Sequence, residues 1–217
     1  MRIFSAGYGT GAGRIYPFGD ICTEGIKAYT PKDMEAHQPT KDDLLIIWGG
    51  ADISPSIYGM PNVASFANDK PSRQDQAEID LVKCAQAFGV PILGVCRGAQ
   101  LVCAMSGGKL AQHVDRHGGD HEITTDDKRQ IITSSVHHQM MYPFDVDHRL
   151  IAWSTRHLSS VYEGLSEIEE ENVAKFGEPE IVWFPKTKSL AVQGHPEFMP
   201  QDCEFNHYVK ELIHEYC

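Results

Sequence analysis

Cys96 is the residue whose surroundings most clearly describe chemistry. It stands in Gly94-Val-Cys-Arg-Gly98, a G-x-C-x-G string between an apolar run and a helical stretch. This is the cysteine form of a nucleophile elbow. On such a strained strand-to-helix turn the neighbours must be small, and the sulfur projects above the sheet edge. The helix that follows puts partial positive charge behind the sulfur, which favours thiolate. The N–H of Arg97 can point at a developing oxyanion. A thiolate nucleophile needs a base, normally a histidine oriented by a third group. The chain has 11 histidines, so composition does not choose among them. Context selects Gly194-His-Pro-Glu197, which follows an apolar run and is therefore expected at a strand end beside the elbow. His195 and Glu197 are two apart and Pro196 favours extended backbone at His195, which predicts both side chains on one side of an extended segment.

These residues need a scaffold, and the apolar pattern supplies one. Met1–Ala6 reads as a short buried strand, followed by the glycine-rich loop Gly7-Tyr-Gly-Thr-Gly-Ala-Gly13. The loop matches a dinucleotide fingerprint only loosely and no amphipathic helix follows it, so it reads as a mobile loop at a strand end. Leu44–Trp48 (LLIIW) is continuously apolar, as in a strand covered on both faces, and it stops at Gly49-Gly50, where the backbone can turn sharply. Residues 73–88 carry Ala77, Leu81, Ala85 and Phe88 on one helical face, with Gly89 as the stop. Val90–Val95 reads as the next strand and residues 98–106 as the next helix. In the second half, residues 121–124, 130–134, 150–154, 181–184 and 190–193 read as extended, with a turn over 185–188. Residues 201–216 read as an amphipathic helix, and the acidic run Glu167–Glu171 as a solvated surface segment. Alternating strands and helices imply an α/β fold: one domain over residues 1–217, three-layered, with a mostly parallel central sheet, helices on both faces and the site at the carboxyl ends of the strands.

Composition removes several function classes. The net charge of −11 argues against binding a phosphate backbone, which needs a basic face, so no nucleic-acid partner is expected. No stretch approaches the length of a membrane span, and the start does not read as a signal peptide. Six cysteines in such a chain are expected to be free thiols in the cytoplasm. Cys103, two turns down the elbow helix, is expected to pack in the core.

The strings together resemble the class I glutamine amidotransferases and, more closely, their γ-glutamyl hydrolase branch. Besides the elbow and His195-Pro-Glu197, that branch carries a G-G-x-D-x-x-P-x-x-Y-G string, matched by Gly49 to Gly59. It also has an arginine after the nucleophile, matched by Arg97, and an S-x-H-H-Q string, matched by Ser135-Val-His-His-Gln139. The matches run from residue 49 to 197. The resemblance implies that Cys96 attacks the γ-carbonyl of glutamine or a γ-glutamyl compound and forms a glutamyl thioester. His195 then acts as base and acid, with Glu197 orienting it. It implies an oxyanion hole from the backbone amides of Arg97, Gly50 and Ala51, and a substrate pocket lined by Gln100, Val136, His137 and His138, of which His138 is the better candidate to face the pocket. No cofactor is implied. The chain departs from the family at Gly194, where a bulky aromatic is usual and a more open wall is expected here, at Ser134, where asparagine is frequent, and at Ala99.

His113-Val-Asp-Arg-His-Gly-Gly-Asp-His121 is rich in metal-ligand types, yet it lacks a paired C-x-x-C or a helical H-E-x-x-H. It is read as a polar loop beside the substrate, with no metal. Three functions then compete. The first is a free-standing hydrolase of γ-glutamyl amides. The second is a glutaminase subunit that passes ammonia to a synthetase or amide-ligase partner. The third is a non-catalytic binding protein, against which the intact Cys96, His195 and Glu197 set speaks.

Overall fold

The computed structural model describes residues 1–217. The chain opens with β1 (Arg2–Ala6), β2 (Glu24–Ala28) and the short helix α1 (Pro31–Glu35), then β3 (Leu44–Ile47), α2 (Arg73–Phe88), β4 (Ile92–Val95) and α3 (Arg97–Met105). Short strands β5 (Lys109–Ala111) and β6 (His113–Val114) lead to β7 (His121–Thr125), β8 (Gln130–Thr133), β9 (Met140–Tyr142) and β10 (Arg149–Ser154). The last quarter holds β11 (Tyr162–Glu163), α4 (Glu167–Phe176), β12 (Pro179–Phe184), β13 (Ser189–Val192) and α5 (Glu204–Tyr216).

Nine strands form one sheet in the order β2-β1-β3-β4-β13-β12-β10-β7-β8. Pairings from β2 to β13 are parallel, and those from β13 to β8 are antiparallel. Traced through these pairings, only β12 and β7 run against the other strands, so the sheet is mostly parallel as the sequence pattern predicts. Period-two alternation sorts the parallel strands between two cores. Phe4, Leu45, Ile47 and Ile92 face the layer of α2 and α3, whereas Ile3, Leu44, Ile46 and Leu93 face α5 through Phe205, Val209, Leu212 and Ile213. No helix is long and apolar enough to cross a membrane. All six cysteines are free, and burial pushes the Cys103 thiol up to about 12.

The helices begin and end where local chemistry dictates. The Ser72 hydroxyl accepts from Asp75 N–H at 3.0 Å and Asp75 accepts from Ser72 N–H at 2.8 Å, a reciprocal cap that starts α2. Gly89, at φ 70°, ends it in the left-handed conformation. The acidic run Glu167–Glu171 lies on the surface as expected, and it is helical, forming the first half of α4. Ser166 and Glu169 cap that helix reciprocally and Glu169 also pairs with Lys109. Val173 is its one fully buried residue, so the apolar periodicity that betrays a helix is nearly absent. The Gly7–Gly13 loop is tied at three points, by Gly7 N–H to Ala28 O, Thr10 N–H to Gly49 O and Gly13 N–H to Ala6 O.

Candidate active site

Strand register puts the ends of four parallel strands side by side. Ala6 closes β1, Ile47 pairs with Gly94 in β4, and Val95 pairs with Val192 in β13. The segments that leave these ends are the Gly7–Gly13 loop, the Gly49-Gly50 turn, Cys96 and the Gln193–Glu197 segment. The topology therefore gathers the predicted chemistry at one edge.

Cys96 occupies the β4–α3 junction at φ 50°, a conformation costly for any residue with a side chain. Its N–H donates to Val192 O at 2.7 Å and its carbonyl accepts from Gln100 N–H at 3.0 Å, which fix the turn between the sheet and the first turn of α3. The flanking glycines are required by contact. A Cβ on Gly98 would lie 2.1 Å from Ile47 O, and one on Gly94 would lie 2.4 Å from Gly98 O.

His195 follows β13 and is buried. Its Nδ1 lies 2.8 Å from Glu197 Oε1, and the Thr10 hydroxyl donates to the same oxygen at 2.5 Å. Burial works to lower the His195 pKa, but the Cys96 side chain and Glu197 outweigh it and push it up to about 9. The histidine and glutamate meet by a different route from the one their spacing suggests. A 3-10 turn over Pro196–Phe198 begins straight after His195, so the pair is joined by a tight turn and not by an extended segment. The Phe198 ring lies parallel to the imidazole at 4.5 Å. Ser134 clamps the backbone here, donating to His195 O at 2.8 Å and accepting from His195 N–H at 3.1 Å. Gly194 does not open the wall. A Cβ there would stand 2.0 Å from Thr133 Oγ1 and 3.0 Å from the Phe205 ring, so the position is filled by neighbours.

The Gly49-Gly50-Ala51 turn packs against both partners. A Cβ on Gly49 would come 2.6 Å from His195 Cε1, and one on Gly50 would come 3.3 Å from Arg97 Cδ. The amides of Gly50 and Ala51 have no acceptor within the chain. The Arg97 side chain turns away from Cys96. It is buried between Asp75 and Glu78 of α2 and bonds to both, so it locks the elbow helix to its neighbour.

The predicted substrate-binding residues divide. Val136 is exposed, and His138 is half-buried with Nε2 2.9 Å from Asp52 Oδ1 and its ring stacked on Phe66 at 4.4 Å. Asp52 also accepts from Phe66 N–H and Ser65 Oγ, so it holds His138 and the 65–66 loop together. A cavity of about 380 Å³ opens beside them, and Ala51, Asp52, Phe66, Lys70, Arg73 and Arg97 are among its walls. Gln100 is buried and donates to Gln139 O. His137 points inward, with Nδ1 bonded to Gln139 O at 2.9 Å and Nε2 toward Glu180. In the 113–121 loop, His113 lies against His138, while His117 and His121 also turn toward Glu180. Thr10, Ser134 and Phe198 are contacts that the spacing of the motifs did not reveal. The G-x-G-T-G loop that carries Thr10 has no periodicity to read.

The Peptidase C26 family profile matches residues 26–197, which spans the elbow, the Gly49–Gly59 string and the His195-Pro-Glu197 segment. The chain belongs to the Peptidase C26 family. It is 29% identical over 195 residues to the glutamine amidotransferase-like protein YvdE of Lactococcus lactis subsp. lactis, covering 88% of this chain and 77% of that one. Its fold is shared by a glutamine amidotransferase from Thermotoga maritima, with a TM-score of 0.56 at 14% identity over 99% of this chain and 85% of that one. The glutaminase domain of Trypanosoma brucei CTPS, solved with bound acivicin, superposes with a TM-score of 0.53 at 13% identity over 98% of this chain and 92% of that one. This family member therefore has the α/β fold of the glutamine amidotransferases.

Proposed function

We propose that this C26 family member hydrolyses the γ-amide bond of glutamine or a γ-glutamyl compound, with Cys96 as nucleophile. One observation carries the proposal: Thr10 and Glu197 hold His195 by its Nδ1 side, and its buried Nε2, which has no hydrogen-bond partner, is left free beside the strained elbow of Cys96. In this reading His195 takes the Cys96 proton, and Glu197 and Thr10 stabilise the resulting imidazolium. The sulfur attacks the γ-carbonyl carbon. The amides of Gly50, Ala51 and Arg97 receive the negative charge on the carbonyl oxygen. His195 then protonates the departing amine, leaving a glutamyl thioester. Water, deprotonated by His195, releases glutamate and restores the thiol.

For substrate binding the accessible groups are Val136 and His138, with the cationic Lys70 and Arg73 on the cavity wall to meet a carboxylate. Gln100 supports the pocket by fixing Gln139, and His137 acts on it through the same loop. A second reading, delivery of ammonia to a bound synthetase or amide ligase, draws on the exposed apolar side chains around the site, Phe66, Val136 and Phe198.

The deciding experiment is covalent labelling with a glutamine-mimicking diazoketone, read by intact mass beside a Cys96→Ala control. A single adduct that glutamine suppresses and the control lacks is expected. Absence of an adduct, in protein whose thiols react normally with a general alkylator, overturns the free-standing hydrolase. A glutaminase rate that appears only when a candidate synthetase is added replaces it with the second reading.

A further inference from the structure

Behind His195, on the side of the sheet end away from Cys96, lies a second assembly of histidines and carboxylates. His117 comes from the 115–120 loop, His121 from the start of β7, His137 from the loop before β9, Glu178 from just before β12 and Glu180 from its start. His117, His137 and Glu180 are each at least 96% buried. Three ring nitrogens face one carboxylate oxygen, Glu180 Oε1: His121 Nε2 at 2.9 Å, His117 Nδ1 at 3.5 Å and His137 Nε2 at 3.7 Å. Both ring nitrogens of His117, His137 Nε2 and Glu180 Oε2 have no hydrogen-bond partner although all are buried.

The opposite nitrogen of each histidine is turned to a carbonyl or carboxylate. His137 Nδ1 lies 2.9 Å from Gln139 O, His121 Nδ1 3.2 Å from Gly119 O, and His117 Nε2 3.4 Å from Glu178 Oε2. A nitrogen that meets a carbonyl must carry its proton there. The remaining nitrogens of His121 and His137 then present lone pairs to a carboxylate that also has only lone pairs. With neutral rings, acceptors converge on an acceptor, so this dry interior requires a positive charge, supplied either by a second proton on an imidazole or by a metal ion. We propose that His117, His137 and Glu180, with His121 as the fourth ligand, form a binding site for a divalent transition-metal ion of the zinc class.

The geometry, donor set and charge agree. Bonds of about 2.0–2.1 Å in a tetrahedron put ligand atoms roughly 3.3–3.5 Å apart. The candidate atoms of His117, His137 and Glu180 lie within 4.8 Å of one another before any ion draws them in. Imidazole nitrogens with one carboxylate suit zinc, copper, iron or nickel, whereas calcium and magnesium prefer oxygen alone. A divalent ion balances Glu180 and the Glu178 carboxylate behind His117. Glu178 is the outer partner that orients a metal-bound histidine, and it is itself fixed by Leu158 N–H, Ser159 N–H and Tyr162 O–H. Entry runs past His121, the most accessible of the four ligands, which also lines a surface cavity with Glu122, Thr155, Arg156 and Leu158. With His121 drawn in as the fourth ligand the set would be closed and the ion structural. It would pin β12 to the 134–139 loop, whose Ser134 holds the His195 backbone.

The test uses the untagged full chain, stripped with a chelator, dialysed, and titrated with Zn²⁺ and Co²⁺. Expected results are one bound metal per chain by elemental analysis, the intense visible absorption of tetrahedral cobalt(II), and a higher unfolding temperature in the loaded protein. Glu180→Gln and His137→Ala should cut affinity at least tenfold, Glu178→Gln by roughly 10–100-fold, and His113→Ala, in the same loop but outside the cluster, should keep the full complement. If the core variants do not fold, His121→Ala at the cavity edge takes their place and must weaken binding at least tenfold. Folded wild-type protein that retains neither ion, or binding that survives these substitutions, overturns the site.

Discussion

Two histidine–carboxylate assemblies sit on either side of the chain leaving β13, and they are wired differently. At Cys96 the connections run in a line, Thr10 to Glu197 and Glu197 to His195 Nδ1, and the line ends on a His195 Nε2 that has no hydrogen-bond partner beside Cys96. At Glu180 three imidazoles converge on one oxygen. A line gives one nitrogen a defined partner and leaves the other free, which sets a direction along which a proton can move. Convergence leaves no direction and needs a stationary positive charge. The number of ionisable groups is therefore a poor guide to catalysis: the larger cluster is the one suited to hold and the smaller the one suited to react.

The largest expected effect is at the end of the line. Cys96→Ala should reduce turnover of a γ-glutamyl amide on the order of 10⁶-fold while leaving the unfolding midpoint nearly unchanged. A residual rate near wild type would move the chemistry to another residue and break the comparison at its start. Glu197→Gln should cost on the order of 10⁴-fold, as loss of the orienting carboxylate does in related triads. It should also bring the His195 titration down from about 9, because Glu197 is, after Cys96, one of the two groups that raise it. The same shift makes a stability prediction. His195 binds its proton more tightly folded than unfolded, so its contribution is complete below about pH 6.5 and is lost as pH rises through about 9. Urea unfolding at about pH 6 and about pH 10 should show a smaller pH-linked loss in Glu197→Gln than in wild type. Equal losses would mean that the Glu197 contact does not hold the proton.

Glu180→Gln probes the converging assembly. Removing one partner from a buried charged cluster should lower stability by about 3–5 kcal/mol. The His195 titration midpoint should stay where it is, since Glu180 and Glu197 belong to different networks. A shift in the His195 midpoint would join the two assemblies into one electrostatic unit.

How much of this could be read beforehand depends on how local the cause is. The elbow was legible because the demands on Gly94 and Gly98 are steric contacts within two strands and a turn. The continuous apolar runs LLIIW and VPILGV announced the buried parallel strands for the same reason. His195 Nδ1 and Glu197 Oε1 lie 2.8 Å apart, but the 3-10 turn at Pro196 that joins them was not expected, because a proline specifies its predecessor's conformation better than its successor's. Thr10 was hidden because its partner is 187 residues away. The Glu180 cluster was hidden more deeply. The ligand-rich 113–121 stretch was judged alone, His137 looked like a pocket residue, and Glu180 sat inside a strand with nothing to mark it. Convergence from four segments has no sequence period, so only the folded chain displays it.

The smallest effect comes from the residue farthest from the sulfur along the line. Thr10→Val keeps the shape of the side chain and removes only the hydroxyl that donates to Glu197 Oε1. A hydrogen bond to a charged group contributes about 1.5–3 kcal/mol, and Thr10 is exposed, so water can replace part of it. The expected cost is a fall of roughly tenfold in kcat with KM nearly unchanged, since the substitution leaves the Thr10 N–H bond to Gly49 O in place and removes only the hydroxyl on Glu197. The His195 midpoint should change little, because Glu197 remains charged and in place. A large rise in KM would show that the Gly7–Gly13 loop acts on the substrate directly. A loss as deep as that of Glu197→Gln would show that the carboxylate cannot hold its position without Thr10, and the line would then begin at β1 and not at His195.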